Sequence, residues 1–170
     1  MEDSKPSAEE FWQYSLRVYA RPGVATSCIT LQDSFGFDVN ILLLCFWMAE
    51  SRRSALEAKD IQALALGAGD ANDRLVRPLR RIRRWFKDWE QGAISAKLEA
   101  SAYQALKVAE LQAERVSQSC LVAGLTTDRL HRALTTETAA RSSLQNYREV
   151  MEASERSEVE LNDLIAKVLF

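Results

Sequence analysis

The sequence predicts an all-α protein, and three observations lead to that prediction. Glycine and proline are scarce, with six and three residues among 170, which disfavours strands joined by tight turns. Alanine, leucine, glutamate, arginine and glutamine, which all favour helices, are frequent. No segment shows the alternation of apolar and polar residues that is typical of a half-buried strand. We therefore expect a compact helical core around one buried central helix, with a more polar hairpin of long helices in the second half.

The most apolar segment of the chain is expected to form the central helix, from about residue 38 to residue 54. It contains an unbroken apolar run from Ile41 to Ala49. This run is too short for a membrane span, which needs about 20 apolar residues. A helix that is apolar on all sides is normally buried in protein. Asp38 is placed to cap the N-terminus of this helix, because its carboxylate can accept hydrogen bonds from the first backbone N–H groups.

Two helices are predicted before this segment. Ser7 and Glu10 fit the capping-box pattern, in which each side chain bonds to the backbone N–H of the other, and this box opens the first helix. The second helix is expected from about residue 23 to residue 34. Gly36 follows it, and glycine readily takes the left-handed conformation with which helices commonly end.

The helices after the central segment are predicted from the same patterns. One is expected at about residues 56–69, a long one at about residues 95–122, and a short last one from Ser157. The second half of the chain is more polar than the first half. We therefore expect one domain, in which an apolar core half of residues 1–92 carries a helical extension or hairpin of residues 93–170 packed on it.

Three polar side chains, those of Asp33, Asp38 and Asn40, are expected around the turn at Gly36. One interpretation is a polar or cation-binding site, which an enzyme would use for catalysis. The other is structural, with Asp38 capping the central helix while Asp33 and Asn40 hold the turn. The sequence favours the structural role, and it predicts no catalytic residue and no metal ligand.

The segment from Arg74 to Trp89 is predicted to be a strongly amphipathic helix. Its apolar residues recur every three or four positions, as on one face of a helix. The residues expected to face the interior are Leu75, Leu79, Ile82, Phe86 and Trp89. The opposite face carries Arg77, Arg80, Arg81 and Arg84, with Trp85 at its edge.

This arginine face has two interpretations. Guanidinium groups match phosphate oxygens, so the four arginines would contact RNA, DNA or a nucleotide while Trp85 stacks on a base. Alternatively, the face is solvated or paired within the protein, with partners among the acidic residues that crowd the C-terminal part. Those residues are Glu149, Glu152, Glu155, Glu158, Glu160 and Asp163. The sequence favours the second interpretation, since the net charge is −2 and no nucleic-acid-binding motif is present.

Two clusters of residues give the chain a resemblance to a known family. The first comprises Leu31-Gln32-Asp33, Gly36, Asp38-Val39-Asn40, Leu42-Leu43, Cys45 and Trp47, and the second comprises Val76, Pro78-Leu79-Arg80 and Arg83-Arg84-Trp85. Together they resemble the signature of a small family of uncharacterised proteobacterial proteins over most of the first 90 residues. The resemblance implies a compact helical protein but no activity, cofactor or site residue. At the position of Phe35, members of that family often carry a polar or charged residue. The phenylalanine of this chain argues against a charged active site in the turn.

The sequence favours a non-enzymatic protein that binds another macromolecule. It contains no nucleotide-binding or serine-hydrolase motif and no cysteine–histidine cluster for a metal, so no cofactor is expected. The N-terminus lacks the apolar core of a secretory signal, so Cys28, Cys45 and Cys120 are expected to be reduced thiols of a cytoplasmic protein. A cysteine nucleophile would need the one histidine, His131. We expect a protein partner or self-association through the second-half helices, with RNA or nucleotide phosphates as the alternative.

Overall fold

The computed structural model describes residues 6–89, 95–125 and 134–170, most of which lie in helices. These ranges contain no β-strand, so the predicted all-α class is confirmed. The helices are α1 (Ala8–Tyr19), α2 (Val24–Phe35), α3 (Val39–Arg52), α4 (Ala58–Ala71), α5 (Arg77–Lys87), α6 (Ala96–Gly124), α7 (Thr136–Val150) and α8 (Arg156–Leu169). A π-helical turn, Asn72–Val76, joins α4 to α5.

Helix α3 is the centre of the fold, as the apolar run predicts. All residues from Asn40 to Ala49 are buried. The helix packs on α1, α2, α6 and α7, so its apolar side chains meet protein in several directions. Asp38 caps it, because its Oδ1 atom accepts a hydrogen bond from the backbone N–H of Asn40 at 2.8 Å. The predicted buried helix is therefore confirmed, and it ends at Arg52.

The ends of the first two helices also follow the predicted chemistry. Ser7 and Glu10 form the capping box at the start of α1. Gly36 ends α2 with a φ of 77°, in the left-handed region where a side chain would be strained. These two local signals set the position of the loop that leads into α3.

A single apolar core takes side chains from both halves of the chain. Helix α7 contributes Ala139, Ala140, Leu144 and Tyr147 and packs on α3 and α4, while α8 packs on α2. Helix α4 packs on both α6 and α7, which make little contact with each other in the described ranges. The apolar face of α7 is therefore used against the core. The predicted boundary at residue 92 and His131 lie outside the described residues.

Candidate functional site

Helix α5 turns a different face to the protein from the one that the sequence predicts. Leu75 and Ile82, which were expected inside, are 43% and 45% exposed, and no residue of α5 is fully buried. Arg80 and Arg83 instead point towards α6. The predicted burial of the apolar stripe is therefore wrong for Leu75 and Ile82, whereas Leu79, Phe86 and Trp89 are half-buried. Carboxylates on α6 provide charged partners for this face, and the π-helical turn before α5 shifts its register relative to α4.

The aromatic residues of α5 pack on one another at its C-terminal end. The ring centroid of Trp89 lies 5.6 Å from that of Trp85 and 5.5 Å from that of Phe86. Trp85 is 59% exposed, the largest exposed fraction among the described aromatic residues other than Phe170. The aromatic cluster therefore leaves Trp85 largely accessible on the surface of the helix.

Arg80, Arg83, Glu110 and Glu114 form an ion-pair cluster between α5 and α6. The Nε atom of Arg80 donates to Glu110 Oε1 at 3.1 Å, and its Nη2 atom donates to Glu114. Arg83 donates to both oxygens of Glu110, with Nη2 at 3.3 Å from Oε1. The four side chains are only 12–23% exposed. Charge-assisted bonds in such a shielded position are stronger than surface ion pairs.

The arginines of α5 do not use the acidic C-terminal residues that the sequence offered as partners. Arg80 and Arg83 pair with α6, Arg84 pairs with Asp33, and Arg77 pairs with Asp73. The reason is geometric, because α5 packs on α6 and on the π-helical turn, whereas α8 packs on α2 and α7. Part of the arginine face is thus paired within the protein, as the favoured interpretation requires, but through different carboxylates.

A chain of buried polar side chains continues the ion-pair cluster into the core. Asn40 Nδ2 donates to Glu114, and Gln118 Nε2 donates to Asn40 Oδ1 at 2.9 Å. Ser15 Oγ donates to Gln118 Oε1 at 3.3 Å. Buried polar groups need such partners, so these bonds fix the positions of α1, α3 and α6 relative to one another. Asn40 therefore has a structural role between the helices.

The two carboxylates of the ion-pair cluster respond differently to their surroundings. Burial alone would raise the pKa of Glu110, but the hydrogen bonds from Arg83 and Arg80 outweigh it and hold this pKa below its ordinary value. Burial raises the pKa of Glu114 above its ordinary value, although Asn40 and Arg80 oppose the shift. Glu110 is therefore the firmly ionised partner of both arginines.

A cavity of about 410 Å³, which we call the arginine cavity, opens between the end of α2 and α5. Its lining brings together most of the residues that the sequence singled out: Arg77, Arg80, Arg81, Arg84, Asp33 and Asp38. Trp85 and Asn40 are not part of this lining. Four guanidinium groups thus face two carboxylates around one concave space.

Asp33 and Asp38 play different parts in this lining. Asp33 is exposed and accepts two bonds from Arg84 Nη2, both at 3.0 Å. A hydrogen bond from Gln32, together with Arg84, holds the pKa of Asp33 below its ordinary value. Asp38 Oδ2 accepts from Asn72 Nδ2 at 2.9 Å, while its other oxygen caps α3. Burial raises the pKa of Asp38.

A second concave space, also of about 410 Å³, lies between α1, α2, α5 and α6, and we call it the apolar groove. Its walls include Trp12, Leu16, Tyr19, Ile29 and Leu111. Its polar lining includes both carboxylates of the ion-pair cluster and the cations Arg80, Arg83, Arg84 and Lys107. The groove and the arginine cavity share Gln32, Arg80 and Arg84, so they lie side by side.

The sequence prediction missed the residues of α6 that organise this region. Glu110, Glu114 and Gln118 recur at intervals of four along one helix, a spacing that places them on a common face. That spacing was the available signal.

Other kinds of site find no support in the described part of the chain. Residues 6–89, 95–125 and 134–170 contain no group of three histidine, cysteine, aspartate or glutamate side chains placed to hold a metal ion. No helix within these ranges is long and apolar enough to cross a membrane. Burial raises the pKa of both Cys28 and Cys45 to about 12, so neither thiol is an activated nucleophile.

Comparison with known proteins identifies the family but adds no activity. No curated protein and no solved structure shows a significant match to the chain. One family model, described as a protein of unknown function (DUF2390), matches residues 10–121. The match covers most of α1, all of α2 to α5 and most of α6, and so includes the ion-pair cluster, the arginine cavity and the apolar groove. Since the match spans more than half of the sequence, the chain belongs to the DUF2390 family.

Proposed function

We propose that the chain is a non-enzymatic, cytoplasmic protein-interaction module that binds an acidic amphipathic segment of a partner protein in the apolar groove. The observation that carries this proposal is the set of apolar side chains around the groove. Leu16, Tyr19, Ile29 and Leu111 line it and are each 36–45% exposed. Scattered exposed apolar residues are ordinary, but a contiguous apolar surface in a concave site is typical of binding surfaces.

The charges around the groove select the kind of partner. Four cations and two carboxylates line it, and Arg80 and Arg83 already neutralise those carboxylates. Lys107 therefore adds an excess of positive charge at the edge, and Arg84, although paired with Asp33 through one nitrogen, keeps further N–H donors there. A helix bound in a groove between helices places its apolar face inside and its polar residues at the rim. Acidic residues beside that apolar face would complement these cations.

The apolar groove is lined by helices from both the first and the second half of the chain. Helix α6 supplies one wall, and α1 and α2 supply another. Helix α6 is one of the second-half helices in which the sequence predicts a partner surface. A partner would therefore contact helices that are fixed to one core. Such a preformed site favours binding because little ordering is required on association.

The experiment is a selection from a random peptide display library against the immobilised protein, followed by fluorescence polarisation with the enriched peptides. Leu111→Gln is the test variant and Val116→Gln is its matched control. Both positions lie on α6, at 45% and 46% exposed, but Val116 does not line the groove. We expect enriched peptides with apolar residues at helical spacing beside acidic ones, and a Kd at least tenfold higher for Leu111→Gln only.

Two results would overturn the proposal. One is enrichment of no peptide, or of peptides that bind Leu111→Gln and the wild-type protein equally well. The other is a concentration-dependent dimer in sedimentation experiments that Leu111→Gln abolishes, because the groove would then be occupied by a second copy of the chain. Val116→Gln should change neither measurement.

A further inference from the structure

We propose that the arginine cavity is a binding site for the phosphate group of a small phosphorylated molecule. Arg77, Arg80, Arg81 and Arg84 line it, against the carboxylates of Asp33 and Asp38. Planar guanidinium groups bind phosphate oxygens through paired hydrogen bonds. The site adjoins the groove in which a partner protein is proposed to bind and shares Arg80 and Arg84 with it, but Arg77 and Arg81 line the cavity alone, so either proposal can fail without the other.

Three of the four arginines have guanidinium N–H groups that are free to donate hydrogen bonds to a ligand. Arg81 has no hydrogen-bond or ion-pair partner among the residues that the structure describes. Arg77 is paired with Asp73 through Nη1, and Arg84 is paired with Asp33 through Nη2. An arginine carries five N–H donors, so these single-nitrogen contacts leave most of them unused. Both pairs are at least 42% exposed and therefore weak.

Arg80 contributes differently, as a fixed side chain whose charge Glu110 and Glu114 already balance. Glu110, Glu114 and Gln32 hold its guanidinium in place before any ligand arrives. A charge that is positioned in advance needs no ordering on binding. Arg80 therefore sets the inner boundary of the site, while the three more exposed arginines supply the contacts.

The two aspartates do not fill the cavity with negative charge. Asp33 is already paired with Arg84, and each oxygen of Asp38 accepts a hydrogen bond, one from the backbone of Asn40 and one from Asn72. Of the four guanidiniums in the lining, those of Arg77, Arg80 and Arg84 have carboxylate partners, so Arg81 supplies the uncompensated positive charge of this space. Protein walls of low dielectric strengthen the attraction of such a space for an anion.

The size and placement of the site favour a small ligand over a nucleic acid. The cavity of about 410 Å³ falls within the range of about 300–1,000 Å³ that is usual for small-molecule sites. A polynucleotide needs cations along an extended track, whereas these arginines converge on one space. The chain as a whole carries a net charge of −2, which gives no general attraction for a polyanion.

The test is calorimetric titration of the full-length protein with inorganic pyrophosphate at low salt. The test variant is Arg77→Gln combined with Arg81→Gln, since neither residue belongs to the ion-pair cluster. The matched control is Arg74→Gln, which removes an arginine that is 79% exposed, pairs with Asp70 and does not line the cavity. Circular dichroism and thermal unfolding establish that each variant is folded as the wild-type protein is.

We expect pyrophosphate to bind the wild-type protein, with an affinity that falls as salt is added, and the double variant to bind at least tenfold more weakly. Arg74→Gln and Leu111→Gln should bind pyrophosphate as the wild-type protein does. The proposal is overturned by absence of binding at millimolar pyrophosphate, or by equal weakening in Arg74→Gln. It is also overturned if single-stranded RNA binds more tightly than pyrophosphate and Arg74→Gln weakens that binding, because the arginines would then serve a polynucleotide.

Discussion

Replacing Glu110 by glutamine tests whether the ion-pair cluster holds α5 on the protein. Glu110 accepts bonds from Arg80 Nε and from two nitrogens of Arg83, and its side chain is 12% exposed. Glutamine has nearly the same shape but no charge and only one acceptor oxygen. The substitution therefore leaves Arg83 without a carboxylate partner while the packing of α6 is preserved.

The expected loss of folding stability in Glu110→Gln can be worked out from the burial of Arg80 and Arg83. Breaking a fully buried ion pair by removing one member costs about 3–5 kcal/mol. Arg80 and Arg83 are 20% and 23% exposed, so water relieves part of that penalty. We expect Glu110→Gln to lower the free energy of unfolding by about 3 kcal/mol, and to lower the Tm by roughly 6–12 °C.

Urea unfolding followed by circular dichroism measures this cost, and Asp33→Asn is the control. Asp33 pairs with Arg84 at the surface, at 42% and 50% exposed, so its loss should cost at most about 1 kcal/mol. A cost for Glu110→Gln below about 1 kcal/mol, or one equal to that of Asp33→Asn, would refute the reasoning, because the ion-pair cluster would then behave as a solvated surface.

The pH dependence gives a second check on the same variant. The pKa of Glu110 is held below its ordinary value of 4.5 in the folded protein. A group with a lowered folded pKa stabilises the protein above its unfolded pKa, and that stability is lost as the pH falls through the folded value. The stability difference between the wild-type protein and Glu110→Gln should therefore be full at pH 7 and shrink below about pH 4.5.

Three further predictions concern the core and its helix ends. Tyr147→Phe should cost about 1–3 kcal/mol in urea unfolding, because the backbone N–H of Asp38 donates to the Tyr147 hydroxyl at 2.8 Å and would lose its partner. Gly36→Ala should cost about 1–2 kcal/mol in the same assay, because Gly36 has a φ of 77°. Mass spectrometry after thiol labelling at pH 8 should find Cys28 and Cys45 unmodified in the native protein and modified after unfolding, since both are buried with pKa values near 12.

The features that the sequence predicts well are those set by nearby residues. The apolar run predicts the buried α3, and the capping roles of Ser7, Asp38 and Gly36 are found as expected. Each depends on contacts within a few residues or on burial of every face of one helix. The sequence also indicates most of the charged lining of the arginine cavity, because it points to Arg77, Arg80, Arg81, Arg84 and the turn at Asp33.

The orientation of α5 could not be predicted in the same way. Helical periodicity shows that Ile82 and Arg80 lie on different faces, but it does not say which face meets the protein. That choice depends on Glu110 and Glu114, which lie about thirty residues away in the chain. A rule that places apolar residues inside fails here, because two carboxylates on the facing helix make burial of arginine favourable.

Arg80 illustrates why the structure changes which residues should be tested. A sequence-based experiment would replace Arg80 first, as the middle of the arginine face. Its guanidinium, however, pairs with both carboxylates of the ion-pair cluster and also lines both concave sites. Its replacement would disturb folding, the groove and the cavity together, so a loss of binding would identify none of them. Leu111 and Arg81 each line one site without joining that cluster, and the two proposed functions can therefore be separated only through residues of this kind.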